Sequence, residues 1–295
     1  MAFSSHRLWL AGFRPFFALA CVAGMFFPLA WALFYSGMLP PPAGRFTPVQ
    51  WHAHEMFFGF GWAVLGGFLL TATKNWVGVR GWHGGALAWL AGAWIFERIG
   101  MGAGGDWPLP LFLLSNNLFL GSIVAMLMWT LLRHRAQDSY RDNGFFLLML
   151  PAFLVAKYLM LHEQHFAAGH TMAIGLFRMA FLVMLERTLT QFMRGNFQVD
   201  ILRRPLLDNS IKLLGLLLVL EFVLAPALAA GGALVLALLL AIRFAFWKPM
   251  LALRRIDIGI MYIGYLGITA QLLVQALAQL GVGIWTGVLT APLSS

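Results

Sequence analysis

Nine stretches of mostly apolar residues, each long enough for a membrane-spanning helix, are separated by short polar connections. They lie at about 15–38, 50–72, 84–101, 108–132, 144–161, 169–190, 209–228, 230–247 and 257–279. A bilayer core of about 30 Å needs roughly 20 apolar residues per helix, whereas barrel strands alternate over about 10 residues. The pattern predicts an all-α fold, a polytopic transmembrane bundle of about nine helices in which residues 1–295 form a single domain.

The composition excludes several classes of protein. Hydrophobic residues make up 61% of the 295 residues and charged residues only 11%, whereas soluble domains carry about 25% charged residues. Disorder is excluded too, because it requires low hydrophobicity and high charge. The single cysteine, Cys21, excludes an intramolecular disulfide and any cysteine-based zinc or iron–sulfur site within one chain.

The basic residues are distributed unevenly between the two ends of the predicted helices. Of the 20 Lys and Arg residues, 16 fall on one side and two on the other, while Lys157 and Arg178 lie inside spans. Positive charge collects on the cytoplasmic side of a membrane. We therefore expect a cytoplasmic N-terminus, a periplasmic C-terminus and a multi-pass location in the bacterial inner membrane. The net charge of +9 is then a topology signal, so the expected partner is the lipid bilayer and not a nucleic acid.

Five of the eight histidines fall at the predicted outer ends of three spans. They are His52, His54, His162, His165 and His170. Neutral imidazole binds haem iron, copper and zinc. Two histidines from different helices would suit a haem iron, and three would suit copper. This distribution predicts a shared metal site near the periplasmic face. The alternative is that these histidines only contact lipid headgroups.

The segment that carries His52 and His54 has the pattern of a helix start. Thr47 suits the N-cap, Pro48 the first helical position, and Gln50 the closing position of a capping box. At about 100° per residue, His54 points roughly 200° away from His52. We therefore expect that the two histidines do not bind one metal, and that one faces a cofactor while the other contacts a neighbouring helix.

Small residues follow His52 along the same face of a regular helix. They are Gly59, Ala63, Gly66 and Gly67. Small side chains allow another backbone to approach closely. This face therefore packs either against another helix, which is the favoured interpretation, or against a flat macrocycle.

Two charged residues lie near the middle of their spans, where charge is costly and is usually paired or functional. They are Arg178 and Glu221. Either they pair with each other, or Arg178 binds an anion such as a haem propionate and Glu221 relays protons. A midplane site of this kind defines an alternative function, secondary transport of a small molecule, which broken helices and inverted repeats would favour.

Other polar residues lie nearer to the predicted outer surface. Lys157 is about one turn inside it, so its amine is expected to snorkel to the interface. Glu97 and Arg98 are expected to form an interfacial pair. Further amides either line a pocket or bond neighbouring helices, namely Asn116, Gln271, Gln275 and Gln279.

Several motifs together resemble the NnrS family of bacterial inner-membrane proteins. The strongest is Trp51-His52-Ala53-His54-Glu55-Met56-Phe57-Phe58-Gly59-Phe60. It is preceded by Gly12-Phe13-Arg14-Pro15-Phe16-Phe17 and followed by Gly66-Gly67-Phe68-Leu69-Leu70-Thr71-Ala72 with Asn75-Trp76. The stretch Asp257-Ile258-Gly259-Ile260-Met261-Tyr262-Ile263-Gly264-Tyr265 is similar to a later family helix.

This resemblance implies a haem- and copper-containing protein of the response to nitric oxide and nitrosative stress. The haem would be b-type, and His52 and His54, which stand in the family motif, become its candidate ligands, with Arg178 as a candidate propionate partner. Longer family members carry further helices beyond the point where this chain ends. A homo-oligomer or a membrane partner would then replace those helices, and a scaffold without cofactor is the remaining interpretation.

Overall fold

The regular structure of this chain is helical wherever it is described. The computed structural model describes residues 6–40, 42, 45–138 and 143–281, and no strand occurs in this part of the chain. The longer helices are α1 (Phe13–Tyr35), α2 (Pro48–Trp76), α3 (Gly85–Ala103), α4 (Leu109–Arg133), α5 (Asn143–Leu161), α6 (Phe166–Phe197), α7 (Pro205–Leu217), α8 (Pro226–Phe246) and α9 (Ile256–Gln279). Each predicted stretch except 209–228 falls on one of them.

Within the described residues, seven helices are long and apolar enough to cross a membrane. They are α1, α2, α4, α5, α6, α8 and α9. The other two differ for identifiable reasons: α3 carries Glu97 and Arg98 in its second half, and α7 has only 13 residues. The all-helical fold and the multi-pass membrane character are thus confirmed. A count of nine spans and the orientation of the termini stay predictions.

The start of α2 follows the sequence pattern closely. Thr47 is the N-cap, its side chain accepts a hydrogen bond from the Gln50 N–H, and the Gln50 side chain accepts one from the Thr47 N–H at 3.0 Å. This is the predicted capping box. After His54 the helix changes to a π-helical segment, Glu55–Gly61. A π turn holds more residues than an α turn, so the predicted 100° spacing does not continue past His54.

The predicted span 209–228 is interrupted. Helix α7 ends at Leu217, a 3-10 segment runs over Leu218–Val223, and Leu220 has non-helical angles of φ −98° and ψ 22°. Pro226 then occupies the first turn of α8. Proline has no N–H to donate to the preceding turn and suits a helix start. The span therefore divides into a short helix and a new one, which corrects the prediction of one continuous helix.

The chain forms two compact units, Met1–His170 and Thr171–Ser295. In the first, α2 packs against α1, and α3 packs against α4, around buried aromatic residues that include Phe16, Phe58, Trp62 and Phe119. In the second, α8 packs against α9 around Trp247, Tyr262 and Tyr265. The single domain 1–295 stays a prediction.

Candidate functional site

His52 lies on α2 and faces α1. Its ring stacks on Trp31, with the ring centroids 4.4 Å apart and the planes inclined by 21°. The Nδ1 atom of His52 is buried and has no hydrogen-bond partner. A buried polar atom without a partner is costly and is often satisfied by a bound group. His52 is therefore able to serve as a metal or haem ligand.

His54 has a different environment, because both of its ring nitrogens face carboxylates. Nδ1 lies 3.1 Å from Oε1 of Glu55, and Nε2 lies 3.3 Å from Oε1 of Glu97 on α3. The Asn116 amide lies 3.5 Å from Nε2 as well. A neutral imidazole has one N–H, and a protonated one has two, so these contacts occupy the ring nitrogens. The contact with α3 matches the expectation that one of the two histidines meets a neighbouring helix, and the geometry does not favour His54 as a metal ligand.

Glu97 is the centre of a buried group of charges that we call the His54 cluster: His54, Glu55, Glu97, Arg98 and Lys157. Oε1 of Glu97 accepts a hydrogen bond from Lys157 Nζ and lies 3.1 Å from Arg98 Nη2. Arg98 Nε lies 3.2 Å from Oε2 of Glu55. With a neutral imidazole, two carboxylates balance two cations, which lowers the cost of burying each charge.

The structure corrects two expectations about this cluster. Lys157 does not snorkel, because its side chain is only 2% exposed and its amine donates to Glu97 and to the Asn116 carbonyl. Glu97 is 0% exposed, so it is a core residue and not half of an interfacial pair. The signal in the sequence was the occurrence of Glu97, Arg98 and Lys157 within apolar stretches. However, Lys157 lies 60 residues from its partner Glu97, and Arg98 lies 43 residues from its partner Glu55.

Gly59 in the π-helical segment makes room for Arg98. A Cβ atom at Gly59 would lie 2.4 Å from Arg98 Nη1 and 2.9 Å from the Phe27 ring. The Gly59 carbonyl accepts a hydrogen bond from Trp94 Nε1 at 3.0 Å. Gly59 thus has a packing role, and Gly66 and Gly67 likewise meet the side chains of Ile123 and Phe16. This supports helix packing, and not contact with a macrocycle, as the reason for these glycines.

The remaining predicted histidines lie after the end of α5. His170 is in the first turns of α6, where its ring contacts Phe57 at 5.5 Å and Phe166 at 5.8 Å. His162 is exposed, and its Nδ1 lies 2.7 Å from the Tyr158 carbonyl oxygen. His165 is exposed as well. Only His170 is therefore brought next to α2, and within the described residues no three His, Cys, Asp or Glu side chains form a group able to hold a metal ion.

Arg178 and Glu221 pair in the second unit. Arg178 Nη2 lies 3.8 Å from Oε2 of Glu221, and its Nη1 donates to the side-chain oxygens of Gln271 and Gln275 at 3.2 Å each. Gln275 also donates to Glu221 at 2.5 Å. The first alternative for these two charges, mutual pairing, is therefore confirmed, and the glutamine stripe bonds neighbouring groups through Gln271 and Gln275.

A second buried charge group was not anticipated from the sequence. Glu186 on α6 pairs with Arg203, with Lys212 at 3.2 Å and with Arg243 at 3.2 Å. Asp208 lies 3.6 Å from the same Arg243 Nη1. Glu186, Lys212 and Arg243 stand near the ends of three predicted spans, and sequence reasoning assigned the cations to topology alone. These ion pairs connect three helices of the second unit, namely α6, α7 and α8.

Comparison with known sequences gives one clear result. The model of the family described as NnrS protein matches residues 7–291, which is nearly the whole chain. No curated protein and no solved structure matches the chain. The family motifs near the N-terminus lie on α1 and α2, and α2 carries His52 and His54. On the extent of this match, the chain belongs to the NnrS family.

Proposed function

We propose that this NnrS-family membrane protein binds b-type haem through His52 and acts in the response to nitric oxide and nitrosative stress. The observation that carries the proposal is the buried, unpartnered Nδ1 of His52, beside a ring that stacks on Trp31. The family resemblance supplies the link to haem, copper and nitric oxide. When bound, haem would supply the redox and ligand-binding chemistry of its iron.

The number of available ligands favours haem over copper as the main cofactor. A haem would bring most of the ligands of its iron with it, so the protein would need to supply only one or two. Copper held by protein alone needs about three, and no group of three His, Cys, Asp or Glu side chains occurs in the described residues. Copper at His162, His165 and His170 stays a prediction that would require a different arrangement of these residues.

The residues around His52 would have separate roles in haem binding. His52 would hold the iron, and Trp31 would fix the plane of the imidazole by stacking. The His54 cluster would hold α2 against α3 and so position His52, without itself touching the metal. Arg178 as a propionate partner stays a prediction, because its Nη atoms already bond Glu221, Gln271 and Gln275.

Secondary transport is not favoured. The break at Leu220 is one feature that the transporter hypothesis anticipated. However, the pairing of Arg178 with Glu221 gives both charges a structural role. The match over residues 7–291 favours the NnrS-like function instead.

The proposal is tested by purifying the protein in detergent after haem-sufficient expression and recording its optical spectrum with metal analysis. We expect a Soret band that His52→Ala abolishes or shifts. The exposed His6, which belongs to no proposed metal site, gives the matched control, since His6→Ala should leave the spectrum unchanged. Absence of a Soret band from the wild-type protein would contradict the proposal. For the physiological part, a strain lacking the protein should grow more slowly under a nitric oxide donor and recover with wild type but not with His52→Ala.

A further inference from the structure

Two adjoining clefts open at the end of α2 that is opposite to His52. The first has a volume of about 370 Å³ and the second about 410 Å³. They share the connection between α2 and α3 as a common wall, from Val79 to His83. Volumes of this size are typical of sites for small molecules. Neither the family resemblance nor the histidine argument assigns anything to this place.

The connection that divides the clefts is held at several points. The Gly84 N–H donates to the Trp9 carbonyl at 2.7 Å, and the Val79 N–H donates to the Lys74 carbonyl at 3.0 Å. Trp82 Nε1 donates to the Thr130 hydroxyl at 2.9 Å. These bonds tie the connection to the N-terminal segment, to α2 and to α4. The clefts are therefore preformed, which lowers the cost of ordering them around a ligand.

The clefts carry uncompensated positive charge. Lys74 and Arg80 line the first, and Arg80 also lines the second together with His83 and His134. Among the described residues, no Asp or Glu lines either cleft, and neither Lys74 nor Arg80 forms an ion pair. The missing counter-charge points to an anionic ligand.

The other lining residues indicate where such a ligand comes from. Leu10, Leu70 and Val79 give the first cleft apolar walls, while Thr71 and Asn75 add polar groups. Trp129 borders the second cleft and is 63% exposed at the end of α4. Exposed tryptophans at helix ends lie at the level of lipid headgroups, and basic pockets between membrane helices bind anionic headgroups. Mixed walls of this kind suit a phosphate attached to a glycerol backbone and acyl chains.

We propose that these clefts bind an anionic phospholipid, with its phosphate between Lys74 and Arg80 and its glycerol region against the apolar wall. The stem of Lys74 lies against Gly81, where an added Cβ would be only 3.0 Å from Lys74 Cδ. This contact directs the stem along the cleft wall. The site is independent of His52, so its test does not depend on haem.

The experiment measures lipid binding to the purified protein by native mass spectrometry. Delipidated protein is titrated with phosphatidylglycerol, with phosphatidylcholine, or with inorganic phosphate. We expect preferential binding of phosphatidylglycerol, weakened roughly tenfold or more in Lys74→Gln/Arg80→Gln, since each of the two interfacial cations contributes about fivefold to the affinity. The matched control is Arg133→Gln/Arg135→Gln, which also removes two positive charges. Both residues are exposed and lie near Trp129 in the sequence, but neither lines a cleft.

The outcomes separate the sources of phosphate. Equal binding of phosphatidylglycerol to the wild type and to Lys74→Gln/Arg80→Gln would overturn the proposed site. An equal loss of phosphatidylglycerol binding in the Arg133→Gln/Arg135→Gln control would overturn it too. Competition by inorganic phosphate at equal concentration would identify a soluble phosphate as the ligand and overturn the lipid assignment. Arg80 is exposed, so Arg80→Gln alone is expected to fold normally and to show part of the loss if the double variant is unstable.

Discussion

The Nε2 atom of His54 lies 3.3 Å from Oε1 of Glu97, and both side chains are fully buried. This contact joins α2 to α3 inside the first unit, and Lys157 brings α5 to the same oxygen. Three elements that are distant in sequence therefore meet at one carboxylate atom. The stability of the unit is therefore expected to depend on that carboxylate.

Glu97→Gln should destabilise the protein strongly. The substitution removes one of two carboxylates while Arg98 and Lys157 remain buried. Breaking a buried ion pair by removing one partner costs about 3–5 kcal/mol, so the midpoint of chemical unfolding in detergent should fall markedly. Glu163→Gln, at an exposed residue, should have almost no effect. A wild-type unfolding midpoint for Glu97→Gln would show that the cluster does not stabilise the unit.

Gly59→Ala should disturb the same cluster sterically. The new Cβ would lie 2.4 Å from Arg98 Nη1 and 2.9 Å from the Phe27 ring, and overpacking of this kind costs about 1–3 kcal/mol. The control is Gly92→Ala on α3, where an added Cβ meets nothing within 4 Å. That change should be neutral or stabilising by up to about 1 kcal/mol through helix propensity. Thermal unfolding of the two variants side by side decides the prediction, which fails if Gly59→Ala is as stable as Gly92→Ala.

Thr47→Ala should weaken the start of α2. It removes the side-chain acceptor for the Gln50 N–H and half of the capping box. The loss is expected to be about 1 kcal/mol, measured by unfolding, with faster hydrogen exchange confined to the first turn of α2. Thr47→Ser keeps the hydroxyl and should restore most of the protection. If both substitutions behave alike, the hydroxyl is not the stabilising group.

Arg178 and Glu221 should behave as a coupled pair. Each single substitution, Arg178→Gln or Glu221→Gln, leaves one part-buried charge without its partner, so each should lower stability. The double variant should be more stable than the sum of the two losses predicts, with a coupling of about 0.5–3 kcal/mol. A cycle of the four proteins by chemical unfolding measures it. Additive losses would mean that the 3.8 Å contact contributes nothing.

The helices themselves could be predicted because the features that favour membrane insertion involve residues close together in the chain. The length of each apolar stretch can be read directly from the sequence. The proline and the Thr47 capping box at the start of α2 likewise involve only neighbouring residues. The division of the stretch 209–228 had a local cue in Pro226, but proline is tolerated inside α1 and α5, at Pro28 and Pro151. The proline alone therefore did not distinguish a break from a kink.

The candidate site was predicted only in outline. Because His52 and His54 belong to one motif, the sequence indicated a functional segment. Because they point in different directions from the helix, it correctly indicated that their side chains contact different residues. That His54 faces two carboxylates while His52 stacks on Trp31 depends on which helices pack beside α2. The π-helical segment after His54 changes the direction of every later side chain, and no residue type in the sequence marks it.

Local physical chemistry thus accounts for the helices and their apolar faces, since these depend on residues close together in the sequence, while the family was indicated by the resemblance of the sequence motifs. The partners of the buried charges depend on folding. Glu97 meets Lys157 across 60 residues of chain, and Glu186 meets Arg243 across 57. A charge is tolerated in an apolar interior only when an opposite charge lies within a few ångströms. The three-dimensional packing of the helices is what brings those charges together.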